Sequence, residues 1–65
     1  MTREVLEKMP RNVLNRIEQF RKDYKNTAIS KSETLARAAG YVEGLRDGGA
    51  ITESERKVLI LYCTV

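Results

Sequence analysis

The sequence predicts an all-α fold, a small three- to four-helix domain with a C-terminal helix hairpin, and three observations carry that expectation. Apolar residues recur at helical spacing in Val13, Leu14, Ile17, Phe20 and Tyr24. Two Ser/Thr-x-x-Glu patterns, Ser30 to Glu33 and Thr52 to Glu55, mark helix starts. Between the later helices stands Gly48-Gly49, where a helix can stop and the chain reverse.

Taken in order, Thr2 to Lys8 can form a short first helix, with Thr2 as its cap and Glu4 near the positive end of the helix dipole. Pro10, the only proline, suits the first turn of the next helix, where its missing N–H has no intrahelical acceptor to lose. That helix should run over 10–25 and close at Lys25-Asn26-Thr27, with Asn26 in the left-handed conformation. The capping box at Ser30 opens a helix over 31–47 whose inward stripe is Leu35, Ala38, Ala39, Val42 and Leu45. Two glycines in its interior, Gly40 and Gly44, cost about 1 kcal/mol each relative to alanine, and close approach of a neighbouring helix is the expected compensation. Gly48 is expected in the positive-φ position that ends it, and Ile51 should plug the open end of the hairpin. Thr52 then opens a last helix over 53–62, for which a strand is the alternative, given its β-branched and aromatic content. These elements form a single domain, 1–65, with no repeat or linker.

A 65-residue domain buries only about 60% of the surface its unfolded chain exposes. Domains of this size usually gain support from disulfides, a metal or a second subunit. The chain has one cysteine, Cys63, and no histidine, so neither an intrachain disulfide nor an ordinary zinc site can be assembled. A homodimer is therefore the expected supplement, and a single thiol suits a reducing cytoplasm. The first residues lack a secretory signal, and no run approaches the ~18 apolar residues that span a bilayer. No membrane partner is expected.

Catalysis needs a nucleophile beside a base, or two carboxylates held across a cleft. Without histidine the bases would have to be carboxylates or lysines, and most acids stand at helix starts, where capping accounts for them. Phosphate-cradling glycine motifs are missing too, since Gly44, Gly48 and Gly49 fall at a helix C-terminus, the wrong end for an anion. Cys63 sits in an apolar run and is read as a buried structural thiol. The sequence thus predicts a chain that is not an enzyme and needs no cofactor.

What remains is surface. From Lys8 to Lys31 seven basic residues face two acids, a local charge of +5 within a chain of net charge +3. Arg11, Arg16, Arg21, Lys22 and Lys25 are the candidate contacts to a partner protein or to phosphate, with nucleic acid as the alternative partner. Glu18 lies among them, where it would repel phosphate and is placed to pair with Lys22. A helix-turn-helix reading starts at Leu35 to Gly40 but fails, because Tyr41 to Leu45 continue the same apolar stripe. In the last helix Val58, Leu59, Ile60, Leu61 and Tyr62 are consecutive and point all round. Val58, Leu59, Leu61 and Tyr62 are accordingly the expected self-association residues, unless a neighbouring helix and the N-terminal turn, with Leu6 and Met9, cover them.

At Leu45-Arg46-Asp47-Gly48-Gly49-Ala50-Ile51-Thr52-Glu53-Ser54-Glu55 the chain resembles the helix–Gly-x-Ile-Thr–helix hairpin of SHOCT-type modules, a likeness that implies a role in oligomerisation. Such modules continue with Phe or Tyr and a lysine-leucine run, where Arg56-Lys57-Val58-Leu59 stands here. In size and pattern, and through Gly44-Leu45-Arg46-Asp47 and Ile51 to Arg56, the whole chain is also similar to small all-helical early-region proteins of lambda-like phages. That likeness implies a dimeric accessory protein that acts on a host factor during the switch between phage life cycles.

Overall fold

Local signals set four helices in place. A computed structural model describes residues 2–65 and folds them as α1 (Thr2–Lys8), α2 (Arg11–Lys25), α3 (Lys31–Asp47) and α4 (Glu53–Cys63), with no strand among the described residues. The C-terminal segment is helical through Cys63. Thr2 is already inside α1 rather than standing before it as the cap.

Pro10 precedes α2 as its cap rather than starting it. Its backbone is extended, and its carbonyl accepts the first helical bond from the Leu14 N–H at 3.0 Å. At the other end Asn26 is not left-handed; its φ is −78° and ψ 117°. Its Oδ1 instead accepts from the Ala28 N–H at 2.9 Å, an Asx turn that leads the chain out of the helix. Lys31 closes this corner from the next helix, donating to the Tyr24 carbonyl at 2.6 Å and lying 5.0 Å from the Tyr24 ring centre. A lysine is well placed at the negative end of a helix.

Only half of the Ser30 capping box forms. Ser30 Oγ accepts from the Glu33 N–H at 3.3 Å, but the Glu33 carboxylate turns to Arg37 at 3.8 Å instead of back to the cap. The Thr52 box is complete, with the Glu55 N–H donating to Thr52 Oγ1 at 3.1 Å and the Thr52 N–H to Glu55 Oε1 at 2.8 Å.

Between these caps, α3 ends at Asp47 as expected, but the positive φ falls one residue later than the glycine pattern predicts. Gly48 keeps a right-handed φ of −79°, and Gly49 takes the positive φ of 79°. Gly49 N–H donates to the Arg46 carbonyl at 3.0 Å and Ala50 N–H to the Leu45 carbonyl at 2.9 Å, the paired bonds of a Schellman stop. Arg46 then bridges the hairpin to Glu53 at 2.7 Å, while Arg56 grips the same carboxylate through two bonds of 2.6 and 3.0 Å. Such exposed pairs are individually weak, but a shared carboxylate between two guanidinia fixes the angle at which α4 leaves the turn.

The core is built from Val5, Val13, Ile17, Phe20, Ala38, Val42, Ile51, Leu59 and Cys63, with Leu6, Met9, Tyr41, Leu45, Val58, Ile60 and Tyr62 packed around it. Ile51 does plug the hairpin. Helices α2, α3 and α4 pack on one another, and α1 lies along α4, contributing Val5 and Leu6, with Met9 just past its end. The α3 stripe departs from expectation. Leu35 is 37% exposed, and Thr34 is turned inward, its hydroxyl satisfied by the Ser30 carbonyl at 3.1 Å. Gly40 and Gly44 do not admit a neighbouring helix either, since a methyl group at either would meet nothing within 4 Å. The accessible surface, 4398 Å², is close to the roughly 4,200 Å² expected of a folded monomer of this mass.

Candidate interaction surfaces

Two surfaces matter, the cationic sides of α2 and the outer side of α4. The five basic residues of α2 do not form one patch. At 100° per residue, Arg11, Lys22 and Lys25 fall on one flank, and all three are exposed. Arg16 falls on the opposite flank, toward α3, where its guanidinium carbon sits 5.3 Å from the Phe20 ring centre and 5.7 Å from that of Tyr41. These two rings themselves meet at 5.8 Å with a 57° tilt, so Arg16 caps an aromatic pair that joins α2 to α3.

Arg21 is engaged differently again. Its guanidinium carbon stands 4.5 Å from the Tyr62 ring centre, and its Nε is buried without a hydrogen-bond partner, so the ring face is its compensation. Tyr62 in turn donates its hydroxyl to Glu18. That bond, rather than the expected pairing with Lys22, is where the Glu18 carboxylate goes. It also raises the Tyr62 phenol above its ordinary pKa, helped by burial and by the negative charge of Glu18, with Arg21 opposing.

The apolar run of α4 is largely turned inward. Leu59 is fully buried between the helices and leaves the set of residues able to meet a second chain, because the side α4 presents to α2 and α3 is the side Leu59 occupies. Val58 and Tyr62 are half-buried, Val58 packed on the core and Tyr62 tied to α2. Of the four expected self-association residues, only Leu61 stands well out, at 64% exposure. Val65, past the end of α4, is 65% exposed as well.

Cys63 is buried, with its thiol 3.9 Å from the Ile17 carbonyl, and burial first of all pushes its pKa up to about 11, with the nearby Glu18 charge adding to the shift. Glu53, held by Arg56 and Arg46, is lowered to about 2. Each of these groups is spoken for by the fold. Among the described residues no pocket opens, and no cluster of His, Cys, Asp and Glu is placed to hold a metal ion. No helix is long and apolar enough to cross a membrane. Comparison of the chain with protein-family models, curated proteins and solved structures found no match.

Proposed function

We propose that this chain is a non-enzymatic helical interaction module, a small regulatory protein that pairs with a second copy through the outer side of α4 and binds a partner protein through α2. The observation that carries this reading is the contrast within one helix. Leu59 and Cys63 are buried, while Leu61 faces solvent at 64% exposure, with Val65, past the end of the helix, at 65%. A solvent-facing aliphatic pair costs solubility and supports no part of the fold, so a covering chain is its natural use. The single buried thiol suits a reducing cytoplasm. The likeness to early-region proteins of lambda-like phages favours a host factor as the partner.

Light scattering on the eluting peak of a gel-filtration column tests the pairing. A dimer at micromolar concentration, reduced to monomer by Leu61→Lys with unchanged helicity, is the expected result. A wild-type chain that stays monomeric overturns the dimer. Capture from bacterial lysate, with and without nuclease, separates a protein partner from one bridged by nucleic acid.

One observation favours a second reading, weak nucleic-acid binding. Arg11, Lys22 and Lys25 are exposed on one flank of α2, three cations against the single carboxylate of Glu18, which is half-buried and bonded to the Tyr62 hydroxyl. Affinity for DNA or RNA that falls steeply with salt would support it, and no retention at low ionic strength would end it.

A further inference from the structure

Arg16 differs from the other arginines that make close contacts in this fold. Arg37, Arg46 and Arg56 each face a carboxylate, and Arg21 lies on Tyr62 with its Nε buried. Arg16 is exposed and set beside two rings, 5.3 and 5.7 Å from their centres, yet among the described residues no hydrogen bond or ion pair takes up its N–H donors. Phe20 is buried beneath it and Tyr41 half-buried, so the platform is part of the core and does not move with the side chain. A guanidinium fixed in this way has lost much of its rotamer freedom before any ligand arrives, and the cost of ordering it on binding is correspondingly small.

Its surroundings say which anion fits. The residues above and below it on the same flank of α2 are Asn12 and Gln19, both exposed, and neither is a cation. Gln19 holds its amide through a bond from Nε2 to Asp23 at 2.9 Å, which engages the one carboxylate on this flank of α2. A nucleic-acid backbone is held by successive cations and by free ring faces; on this flank of α2 Arg16 is the one cation, and the rings already carry it. A row of amide, guanidinium and amide suits one carboxylate with peptide groups on either side.

We infer that Asn12, Arg16 and Gln19 form a recognition strip for an acidic segment of a partner protein, with Arg16 taking a Glu or Asp carboxylate through its paired N–H edge. This rests on the protein-interaction reading above and names the chemistry of the partner.

The test is NMR on the full-length, 15N-labelled chain titrated with an end-blocked hexaglutamate peptide and, separately, with a thymidine oligonucleotide. The Arg16 Nε–H signal and the side-chain amides of Asn12 and Gln19 are expected to shift together and saturate with the peptide. Arg16→Lys, which keeps the charge but loses the planar fork, should weaken binding roughly tenfold, as expected for loss of a charge-assisted bidentate contact. Tyr41→Leu, which keeps Arg16 and removes one ring, should weaken it less. Circular dichroism on each variant separates loss of binding from loss of fold. Equal affinity in the Arg16→Lys variant, stronger peptide shifts at Arg11 than at Arg16, or a lower saturating concentration for the oligonucleotide would each overturn the inference. Such a failure would leave the α4 dimer and the lysate capture untouched, since neither depends on Arg16.

Discussion

Replacing Gly40 and Gly44 by alanine should stabilise this protein, by an amount that follows from the structure. Both lie in the interior of α3, and a β-carbon at either would touch nothing within 4 Å, so no steric penalty offsets the gain. Each Gly→Ala change in an exposed helix interior is worth about 1 kcal/mol through the entropy of the unfolded chain and the shielding of the helix backbone, or roughly 2 kcal/mol for both. Against a total stability of about 3–10 kcal/mol for a chain of this length, that is a large fraction. With an unfolding entropy of about 2.1 cal/mol/K per residue, the double variant should melt about 14 °C higher. Thermal unfolding followed at 222 nm, at two protein concentrations tenfold apart, is the assay. A melting point unchanged or lowered would refute the reasoning. Combined with concentration dependence, it would mean that the outer side of α3 is covered by another chain that needs the glycines.

The remaining expectations concern individual groups. Tyr62→Phe removes the hydroxyl that Glu18 accepts, and because the pair is only part-buried the loss should be about 1–1.5 kcal/mol; a double-mutant cycle with Glu18→Gln that returns no coupling would remove the bond as a stabiliser. The Tyr62 phenol has its folded pKa raised above the unfolded value, so its contribution is fully present below the unfolded pKa and fades as pH rises through the folded one; urea titrations at neutral and strongly alkaline pH should show the loss only in the latter, and less of it in Tyr62→Phe. Glu53, lowered to about 2, acts in the other direction, its contribution present above the ordinary carboxylate pKa and lost as pH falls toward 2. Arg56→Gln should move its NMR titration midpoint upward, and an unmoved midpoint would count against the ion network. Cys63, with a pKa of about 11, should react with a thiol reagent at pH 8 at least about a hundredfold more slowly in the folded chain than in urea, and a folded rate near the urea rate would mean that the thiol is not in the core.

The elements were legible because helix starts and stops are written locally. Thr52 and Glu55 bond each other within four residues, and Ser30 with Glu33 signals a start even though half its box is unused. Details resting on one torsion were less so. Whether Gly48 or Gly49 carries the positive φ depends on which carbonyls the turn must satisfy, and both glycines tolerate either role. Inward stripes were blurred where a polar residue could satisfy itself. Thr34 goes inside because the Ser30 carbonyl takes its hydroxyl, and Leu35 is displaced toward solvent. Least legible were pairings across the chain. Nothing in the spacing of α2 announces that Glu18 meets Tyr62, that Arg21 lies on the same ring, or that Arg16 rests on Phe20 and Tyr41, because those partners are set only when three helices dock.

The Tyr62 to Glu18 and Cys63 to Ile17 contacts join positions 44 and 46 residues apart, whereas the α3–α4 hairpin is closed by bonds spanning seven residues or fewer. Short loops close cheaply and early, and long ones wait. The α3–α4 hairpin and the α2–α3 corner, which Lys31 closes over seven residues, can thus organise first, and the α2–α4 contacts form only once residues 62 and 63 are free to meet α2. During synthesis α2 emerges from the ribosome well before its anchors do. The part of its apolar side that α4 covers, at Ile17, stays open for that interval, so the time in which the nascent chain offers a half-covered core to chaperones and proteases is set by how long α4 takes to follow.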